Sequence, residues 1–409
     1  MKKKLQADNP IFPILLLGAA LLLRLLLGYF YPPYPEAMAE WAERIWRVGF
    51  ADFYGPEVRW PYPPLYLYVL WISGGAISLL KIEDPLMQQL IIKLPAILCD
   101  IAAAGLIYRY AKKMRGDKAA LICCALWCFN PAVIHNSAMW GQTDACFSLF
   151  IALMLVALCE RRLPAAFLYF GISLMLKQQS LTFAPVLLVA IVEQVFLEDF
   201  SIRRTLRLFA IGLCVIAGMV LISLPFGLGE MLAQYLSVQG GMPYASVDAF
   251  NFWALIGRNW APLDSTFLHL PCKSWGSIAI VGITLLSFLL AFLKKENRSK
   301  YPLLAAFLIL SVFCFGTGMH ERYMLSGLLF LLLALIYTNS KALLPFYAVF
   351  SLLQLSNTVA VYAYNLQNPS VPKEKVTAVV SAAVVLCTLF FWLFLALRAL
   401  RVKDPAKSK

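Results

Sequence analysis

Residues 11–31 read IFPILLLGAALLLRLLLGYFY, a single charge, Arg24, in an otherwise apolar run. About 20 such residues form a helix long enough to cross the ~30 Å hydrocarbon core of a bilayer. Val376–Leu397 repeats the pattern near the other end of the chain. Between them, further apolar stretches fall near 89–110, 119–136, 144–160, 164–177, 180–197, 206–226, 275–293, 301–316, 322–338 and 341–361. Composition agrees. The 409 residues are 61% hydrophobic and 14% charged, against about 45–50% and about 25% for soluble chains. A surplus of that size needs lipid, and lipid admits only backbone whose hydrogen bonds are satisfied internally. Barrel strands would alternate over ~10-residue segments; here the apolar stretches are continuous. No small-residue cleavage site follows the first one, so it reads as a retained span and not as a removed signal peptide. The expectation is an all-α polytopic membrane protein, one integral-membrane domain over 1–409 with about 11–13 spans.

The formal net charge is +13. No aromatic-basic groove points to nucleic acid as a partner, and the positive-inside bias accounts for the excess. Basic clusters lie at Lys2–Lys4, Arg109–Lys118, Arg161–Arg162, Arg203–Arg207, Lys294–Lys300 and Arg401–Lys409. If Pro63–Leu80 crosses the membrane, every later cluster lands opposite the first. If it enters and leaves on one side, all six fall together in the cytoplasm. The second arrangement is expected, which makes 63–80 re-entrant or interfacial. Its start, Trp60-Pro61-Tyr62-Pro63-Pro64, has the aromatic and proline content of an interface. The division that follows is a first span 11–31, a first outer loop 32–88, a helical module 89–226, a second outer loop 227–274, a C-terminal helical module 275–398 and a cytoplasmic tail 399–409. Within the first loop, Glu36–Val48 reads as a short amphipathic helix: Met38, Trp41, Ile45 and Val48 follow 3- and 4-residue steps. Both termini are placed in the cytoplasm. Short basic loops suit a multi-pass protein of a bacterial plasma membrane, and an endoplasmic-reticulum membrane obeys the same rule.

Ten cysteines show no CxxC spacing and read as small apolar packing residues, with no disulfide framework. Three histidines without a close pair argue against a His-ligated metal. The acidic residues are too scattered to give a ligand set, so a divalent metal is not indicated. Ionisable groups in or near spans are costly and are functional candidates by default. Asp100 sits inside 89–110. Asp144 opens a span after Trp140-Gly141-Gln142-Thr143. Lys177 ends a short one and is followed by Gln178 and Gln179. His320-Glu321-Arg322-Tyr323 begins another. The charge-derived topology gathers Asp144, Lys177 and His320–Tyr323 on the outer side, where they would suit an anionic, hydrophilic substrate. Each also has a plainer reading: Asp100 as a helix–helix polar contact, Asp144 as a first-turn residue favoured by the helix dipole, Lys177 as a snorkelling side chain, the His-Glu-Arg-Tyr run as an interfacial anchor. A transporter would also put charges in spans. No inverted repeat or pair of Gly/Pro-broken helices is evident here, however.

These motifs resemble the integral-membrane glycosyltransferases of the GT-C fold, in particular the bacterial mannosyltransferase-like family related to the second mannosyltransferase of GPI-anchor synthesis. More distantly they are similar to the lipid-linked-oligosaccharide glucosyltransferases. The pieces run in family order: Glu36-Ala37 with Trp41, Phe53-Tyr54, Tyr62-Pro63-Pro64-Leu65-Tyr66, Lys93-Leu94-Pro95 with Asp100, Asn130-Pro131, Trp140-Gly141-Gln142-Thr143-Asp144, Leu176-Lys177-Gln178-Gln179, Phe250-Asn251-Phe252-Trp253-Ala254-Leu255 with Asn259-Trp260, and His320-Glu321-Arg322-Tyr323. The resemblance implies a GT-C-like bundle with membrane-parallel helices in the first outer loop. It also implies transfer of a hexose such as mannose or glucose, with inversion, from a polyprenyl-phosphate carrier to a glycan, lipid or protein acceptor. On that resemblance Lys177, His320 and Arg322 would hold the donor phosphate. Tyr34, Trp140, Gln142, Gln178, Asn251, Trp253, Glu321 and Tyr323 would line the substrate. The sequence departs from the family at the base. Relatives carry an acid seven residues before the tryptophan that corresponds to Trp41, and Tyr34 stands there. A phenol with pKa near 10 is a poor base for a sugar hydroxyl, so Glu36, Asp144 and Asp100 are the catalytic candidates. Two other readings stand beside the enzyme: a non-catalytic relative that binds lipid-linked sugar, and a transporter or flippase of such lipids.

Overall fold

The computed structural model describes residues 11–32, 37–54, 62–198, 200–239, 243–293, 299–366 and 373–400. Tyr34 and Glu36 lie outside these residues, as do the basic segments at 2–4 and 401–409.

The chain opens with α1 (Ile11–Phe30), α2 (Ala37–Val48), α3 (Leu65–Leu79) and α4 (Pro85–Arg115). Asp84 caps α4 by accepting from Leu86 N, with Pro85 at its first position. Next come α5 (Asp117–Cys128) and α6 (Pro131–Ile134), the latter running into a π-helical turn His135–Met139. The break between them follows from Asn130-Pro131. Asn130 accepts from Ala132 N at 2.9 Å and starts a new helix whose first residue is proline. The two segments are bent by 46°. Then follow α7 (Asp144–Cys159), α8 (Leu163–Leu176), a 3₁₀ turn Gln178–Phe183 leading into α9 (Ala184–Ile191), α10 (Ile202–Ser223), α11 (Leu228–Gln239) and α12 (Phe252–Leu255). The chain ends with α13 (Cys272–Leu293), α14 (Lys300–Phe315), α15 (Leu325–Thr338), α16 (Leu343–Asn365) and α17 (Lys373–Leu400). Strand pairing is minimal: β1 (Ser246–Val247) lies parallel to β4 (Met319–His320), and β2 (Thr266–Phe267) antiparallel to β3 (Leu270–Pro271).

Among the described residues seven helices are long and apolar enough to cross a membrane, or eight if the bent pair counts as one span. Five more apolar helices are shorter: α3, α7, α8, α14 and α15. The last four of these have 14 to 16 residues, about 21–24 Å at 1.5 Å per residue, and so end inside a ~30 Å hydrocarbon layer. The centre of the bundle is α7, α14 and α15, whose residues are buried on nearly every face. Around them α1, α10, α13 and α17 turn large apolar side chains outward, among them Leu15, Leu22, Phe209, Ile216, Leu285, Leu289, Phe390 and Leu393. A molecule buried on all sides within and apolar on its rim is built for lipid. This is a polytopic all-α membrane protein.

α2 is the amphipathic helix expected at 36–48, with Ala42 and Ile45 fully buried. That face is covered by α3. Gly74 of α3 lies so close to Ala42 that a methyl group there would overlap the Ala42 carbonyl, and one at Gly75 would meet the Trp46 ring. All ten cysteines are free thiols. Cys272, assigned to a loop, instead begins α13 and is buried.

Candidate functional site

The short helices α7, α8, α14 and α15 end where the polar residues of the sequence gather. α8 stops at Leu176, because Lys177 leaves the helical region for extended backbone (φ −157°, ψ 126°). Two serines knit the break together: their hydroxyl oxygens lie 2.6 Å apart, one hydroxyl donating to the other, which donates in turn to a backbone carbonyl, Phe147 O from Ser173 or Ser173 O from Ser180. The extended Lys177 reaches Asp144, the first residue of α7, with Nζ 2.6 Å from Oδ1. Asp144 stands in the first turn of its helix, where the dipole favours an anion. Its other oxygen lies 3.5 Å from Arg322 Nε.

Arg322 arrives from the link between α14 and α15. Gly318, at φ +69°, turns the chain into β4, and Tyr323 N and Leu325 N bond back to His320 O and Arg322 O. Arg322 Nη1 donates to Glu321 Oε1 at 2.5 Å, and His320 Nδ1 is 3.8 Å from Glu321 Oε2. Two acidic and two basic side chains are thus packed together with almost no solvent: side-chain exposures are 4% for Lys177, 2% for Asp144, 5% for Glu321 and 14% for Arg322. Aromatic faces close the rest. Lys177 Nζ lies 4.6 Å from the Tyr323 ring centre, 5.4 Å from Phe147 and 5.8 Å from Tyr62. Burial pushes the Glu321 carboxyl up, but Arg322 and His320 outweigh it and hold it at about 2. Burial holds His320 below its usual value against the pull of Glu321. Burial would lower Arg322 as well, and Glu321 reverses that, leaving it above its usual range.

The second large loop supports this cluster from behind. β1 pairs with β4 through Ser246–Met319 and Val247–His320. Asp248, at φ +54°, holds Lys373 Nζ at 2.9 Å and Asn259 Nδ2 at 2.8 Å, and Asn357 Nδ2 donates to its carbonyl. Gln354 Nε2 donates to Glu321 O and Gln179 Nε2 to Tyr323 O. Asn251 acts as a cap: its Oδ1 accepts from Trp253 N and Ala254 N, and its Nδ2 donates to Phe313 O. Trp253 Nε1 donates to Phe315 O. These two residues, expected to shape a sugar site, spend their side-chain polar atoms on backbone. Gln142 is buried in the loop before Asp144, its N–H donating to Asn136 O. Gln178 opens the 3₁₀ turn beside Lys177.

Asp100 belongs to a different polar centre. Its Oδ2 lies 3.5 Å from Arg24 Nε and accepts from Ser137 Oγ at 2.5 Å. Arg24 Nη1 donates to Cys128 O at 2.7 Å, and Trp127 Nε1 donates to Asp100 O. The pair ties α1 and α4 to the π-helical turn and matches the helix–helix contact among its sequence readings. Trp140 is buried, its ring packed edge-on to His135 and Tyr362. Sequence reading passed over His135, Asn136, Asn357 and Phe147, and quoted Arg24, Lys93 and Tyr62 without giving them a role. Arg24 carried a signal, as the lone charge in its span; the Phe147 ring carried none. Among the described residues no three His, Cys, Asp or Glu side chains meet as a metal-ligand group.

In comparisons with solved structures, ArnT from Cupriavidus metallidurans bound to undecaprenyl phosphate matches with a TM-score of 0.54 at 14% identity, over 94% of this chain and 77% of ArnT. The chain has the GT-C fold. The apo form of the same ArnT superposes with a TM-score of 0.49 at the same identity and coverage. The family model of the GPI transamidase subunit PIG-U matches residues 47–239, just under half of the chain. No curated protein sequence matches it.

Proposed function

We propose that this GT-C protein handles a sugar linked to a polyprenyl phosphate at its non-cytoplasmic face, transferring a hexose to an acceptor hydroxyl with inversion. The observation that carries the reading is the convergence of Lys177 and Arg322 on one carboxylate, Asp144, among buried polar groups and aromatic faces. Two cations aimed at one anionic group form a cradle in which a phosphate can exchange with the carboxylate. Such charge-assisted contacts stabilise a phosphate as it departs as leaving group. That ArnT was crystallised with undecaprenyl phosphate supports a lipid phosphate as the ligand class.

An apolar groove supports the lipid part. It runs along α8 and α10, lined by Leu65, Leu168, Gly171, Met175, Val215 and Met219. Its Met175 end is two residues from Lys177 and its Leu65 end three residues from Tyr62, so a chain lying there would deliver its phosphate to the cradle. The acceptor proton needs a base with a free lone pair. Asp144 Oδ1 is occupied by Lys177, while its Oδ2 accepts no hydrogen bond. Glu36 is the other base candidate, from the first loop.

A second reading has a specific observation behind it: the likeness to PIG-U, described as a transamidase subunit. In that reading the same cradle holds a lipid-linked sugar without cleaving it. One experiment separates the two. The full chain in lipid nanodiscs is given a panel of polyprenyl-phosphate hexoses and glycan acceptors, and free polyprenyl phosphate is measured. Transfer predicts release that Lys177→Ala and Arg322→Ala each reduce at least ~100-fold, the scale of losing one charge-stabilising group. Asp144→Asn and Glu36→Gln then identify the base. Tight lipid-sugar binding without release supports the subunit. Undiminished release in both cation variants sinks the assignment of the site.

A further inference from the structure

At the opposite end of α14 from the Arg322 link, a small cavity lies where α13, α14 and α17 meet. The 16 residues of α14, about 24 Å, separate the two places. The cavity has a volume of about 40 Å³. It is lined by Leu290 of α13, Leu303 of α14, Leu395 and Ala399 of α17, and two basic residues, Lys300 and Arg398. At about 10–15 Å³ for each water it has room for one compact polar group. Arg398 stands in the last turn of α17, where the helix dipole favours a cation. Lys300 is the first residue of α14, where the dipole disfavours one, and its side chain is only 8% exposed. A network holds it there. Lys300 Nζ donates to Glu193 Oε1 and, at 2.8 Å, to Ala291 O. Tyr301 hydroxyl donates to Glu193 Oε2, and Gln194 Nε2 donates to Tyr301 hydroxyl. Lys300 is thus fixed between α13 and the π-helical turn Val192–Leu197.

The lining describes its ligand. An ammonium has three N–H donors. Among the described residues Lys300 uses two, which leaves one for a ligand, and Arg398 adds a guanidinium fork suited to phosphate oxygens. Glu193 offsets one of the two cations. The rest of the lining is apolar, and beside it Leu289, Leu293 and Leu397 are exposed on the rim of the bundle. A soluble anion would leave these leucines bare, and a zwitterionic lipid would bring its own cation to the site. In the sequence α13 and α17 run on into the basic stretches 294–300 and 401–409. The positive-inside bias assigns this end to the cytoplasmic leaflet, where anionic lipids gather and basic pockets between spans take their headgroups. We infer that α13, α14 and α17 form a binding site for an anionic glycerophospholipid, with its phosphate at Lys300 and Arg398 and its acyl chains along the leucines. The site is separate from the Asp144–Lys177–Arg322 cradle and does not depend on what that cradle does. α13 and α17 each bury a minority of their residues, whereas α14 is buried on nearly every face. A lipid in this position ties the two rim helices to the packed centre and so stabilises the folded chain.

The test uses the full chain, delipidated in a neutral detergent. Phosphatidylglycerol, phosphatidylcholine, polyprenyl phosphate and inorganic phosphate are titrated in turn. Melting temperature and native mass spectrometry of the retained lipid are the readouts. Phosphatidylglycerol should raise the melting temperature and stay bound; phosphatidylcholine should do neither. Arg398 is half-buried, so Arg398→Gln should fold. In that variant half-maximal stabilisation should need about five-fold more phosphatidylglycerol, the effect of one basic residue beside an anionic lipid. Ala399→Phe fills the cavity without changing a charge and should weaken binding by at least as much. Lys177→Ala should leave the titration unchanged, so failure of the phosphate cradle and failure of this site are told apart. Equal retention of the two phospholipids, or a titration of Arg398→Gln or Ala399→Phe that matches the parent protein, would overturn the inference. So would displacement of phosphatidylglycerol by polyprenyl phosphate, which gives the cavity to the carrier lipid, or by inorganic phosphate, which makes it a soluble-anion site.

Discussion

Lys177 meets Asp144 at 2.6 Å with both side chains nearly sealed from solvent. Removing one member of a buried ion pair leaves a charge without its partner and costs about 3–5 kcal/mol. Lys177→Met should therefore destabilise the protein by that order. Adding Asp144→Asn should recover most of the loss, as a double-mutant cycle of denaturant unfolding would read. Simple additivity of the two losses would mean that the pair is not coupled. His320 and Glu321 make a second prediction, through pH. Both are depressed in the folded protein. Their contribution is therefore complete above the unfolded values, near 6.5 for histidine and near 4.3 for glutamate, and is lost as pH falls below them. The melting temperature should hold level from pH 8 to 7 and decline below about 6.5. His320→Gln should flatten the upper part of that decline; a profile unchanged by the substitution would exclude the histidine. Asp144, Lys177 and Arg322 were legible in the sequence because charge is expensive in an apolar segment and needs a reason. Asn251 reads as a cap only once Phe252–Leu255 is known to turn helical. His135 carried the same signal, as an ionisable group inside 119–136, and was missed; Asn136, an uncharged amide, carries no such penalty, and the side-chain polar atoms of both are buried without a partner.

At the scale of elements, helix length does the positioning. Long apolar runs were legible because a spanning helix must be about 20 residues, and the ends of α1, α7 and α8 fall within two residues of the runs in the sequence. The π-helical turn His135–Met139 was not legible, since a π-turn differs from an α-turn by one residue of hydrogen-bond register and leaves the composition unchanged. Nor was the docking of α2 on α3. Amphipathicity reports that a face is buried, not what buries it. Two adjacent glycines settle that here. Because the Ala42 carbonyl is backbone and cannot swing away, Gly74→Ala forces the two helices apart, whereas Gly105→Ala, where a methyl meets nothing, does not. Overpacking of this kind costs about 1–3 kcal/mol. Gly74→Ala should lower the melting temperature and raise proteolysis of the first loop, and Gly105→Ala should do neither. Equal stability of the two variants would mean that α2 and α3 are not held in this contact.

For the whole molecule, α3 decides how the bundle lies across the membrane. Its 15 residues reach about 22 Å, less than the ~30 Å hydrocarbon core, and its glycines face α2, a helix that carries Glu40, Glu43, Arg44 and Arg47. A helix packed on so polar a neighbour is poorly suited to stand alone against lipid. If α3 does not cross, the basic ends of α4, α5, α7 and α10, where Lys113 and Arg162 pair with Glu160 and Arg161 with Glu198, fall on the side of the N-terminal lysines. If it crosses, these clusters lie opposite the lysines at the N-terminus, against the positive-inside bias. Single cysteines in a cysteine-free background distinguish the two. Arg47 and Glu83 flank α3 and are exposed, as are His269 between β2 and β3, and Lys118 and Arg203 at the basic ends. In sealed vesicles of one orientation, an impermeant thiol reagent should reach Arg47→Cys, Glu83→Cys and His269→Cys from one side, and Lys118→Cys and Arg203→Cys only from the other. Labelling of Arg47→Cys and Glu83→Cys from opposite sides would make α3 a true span. The positive clusters would then sit outside, and the Asp144–Lys177–Arg322 cluster would lie on the cytoplasmic side instead of the face proposed for it.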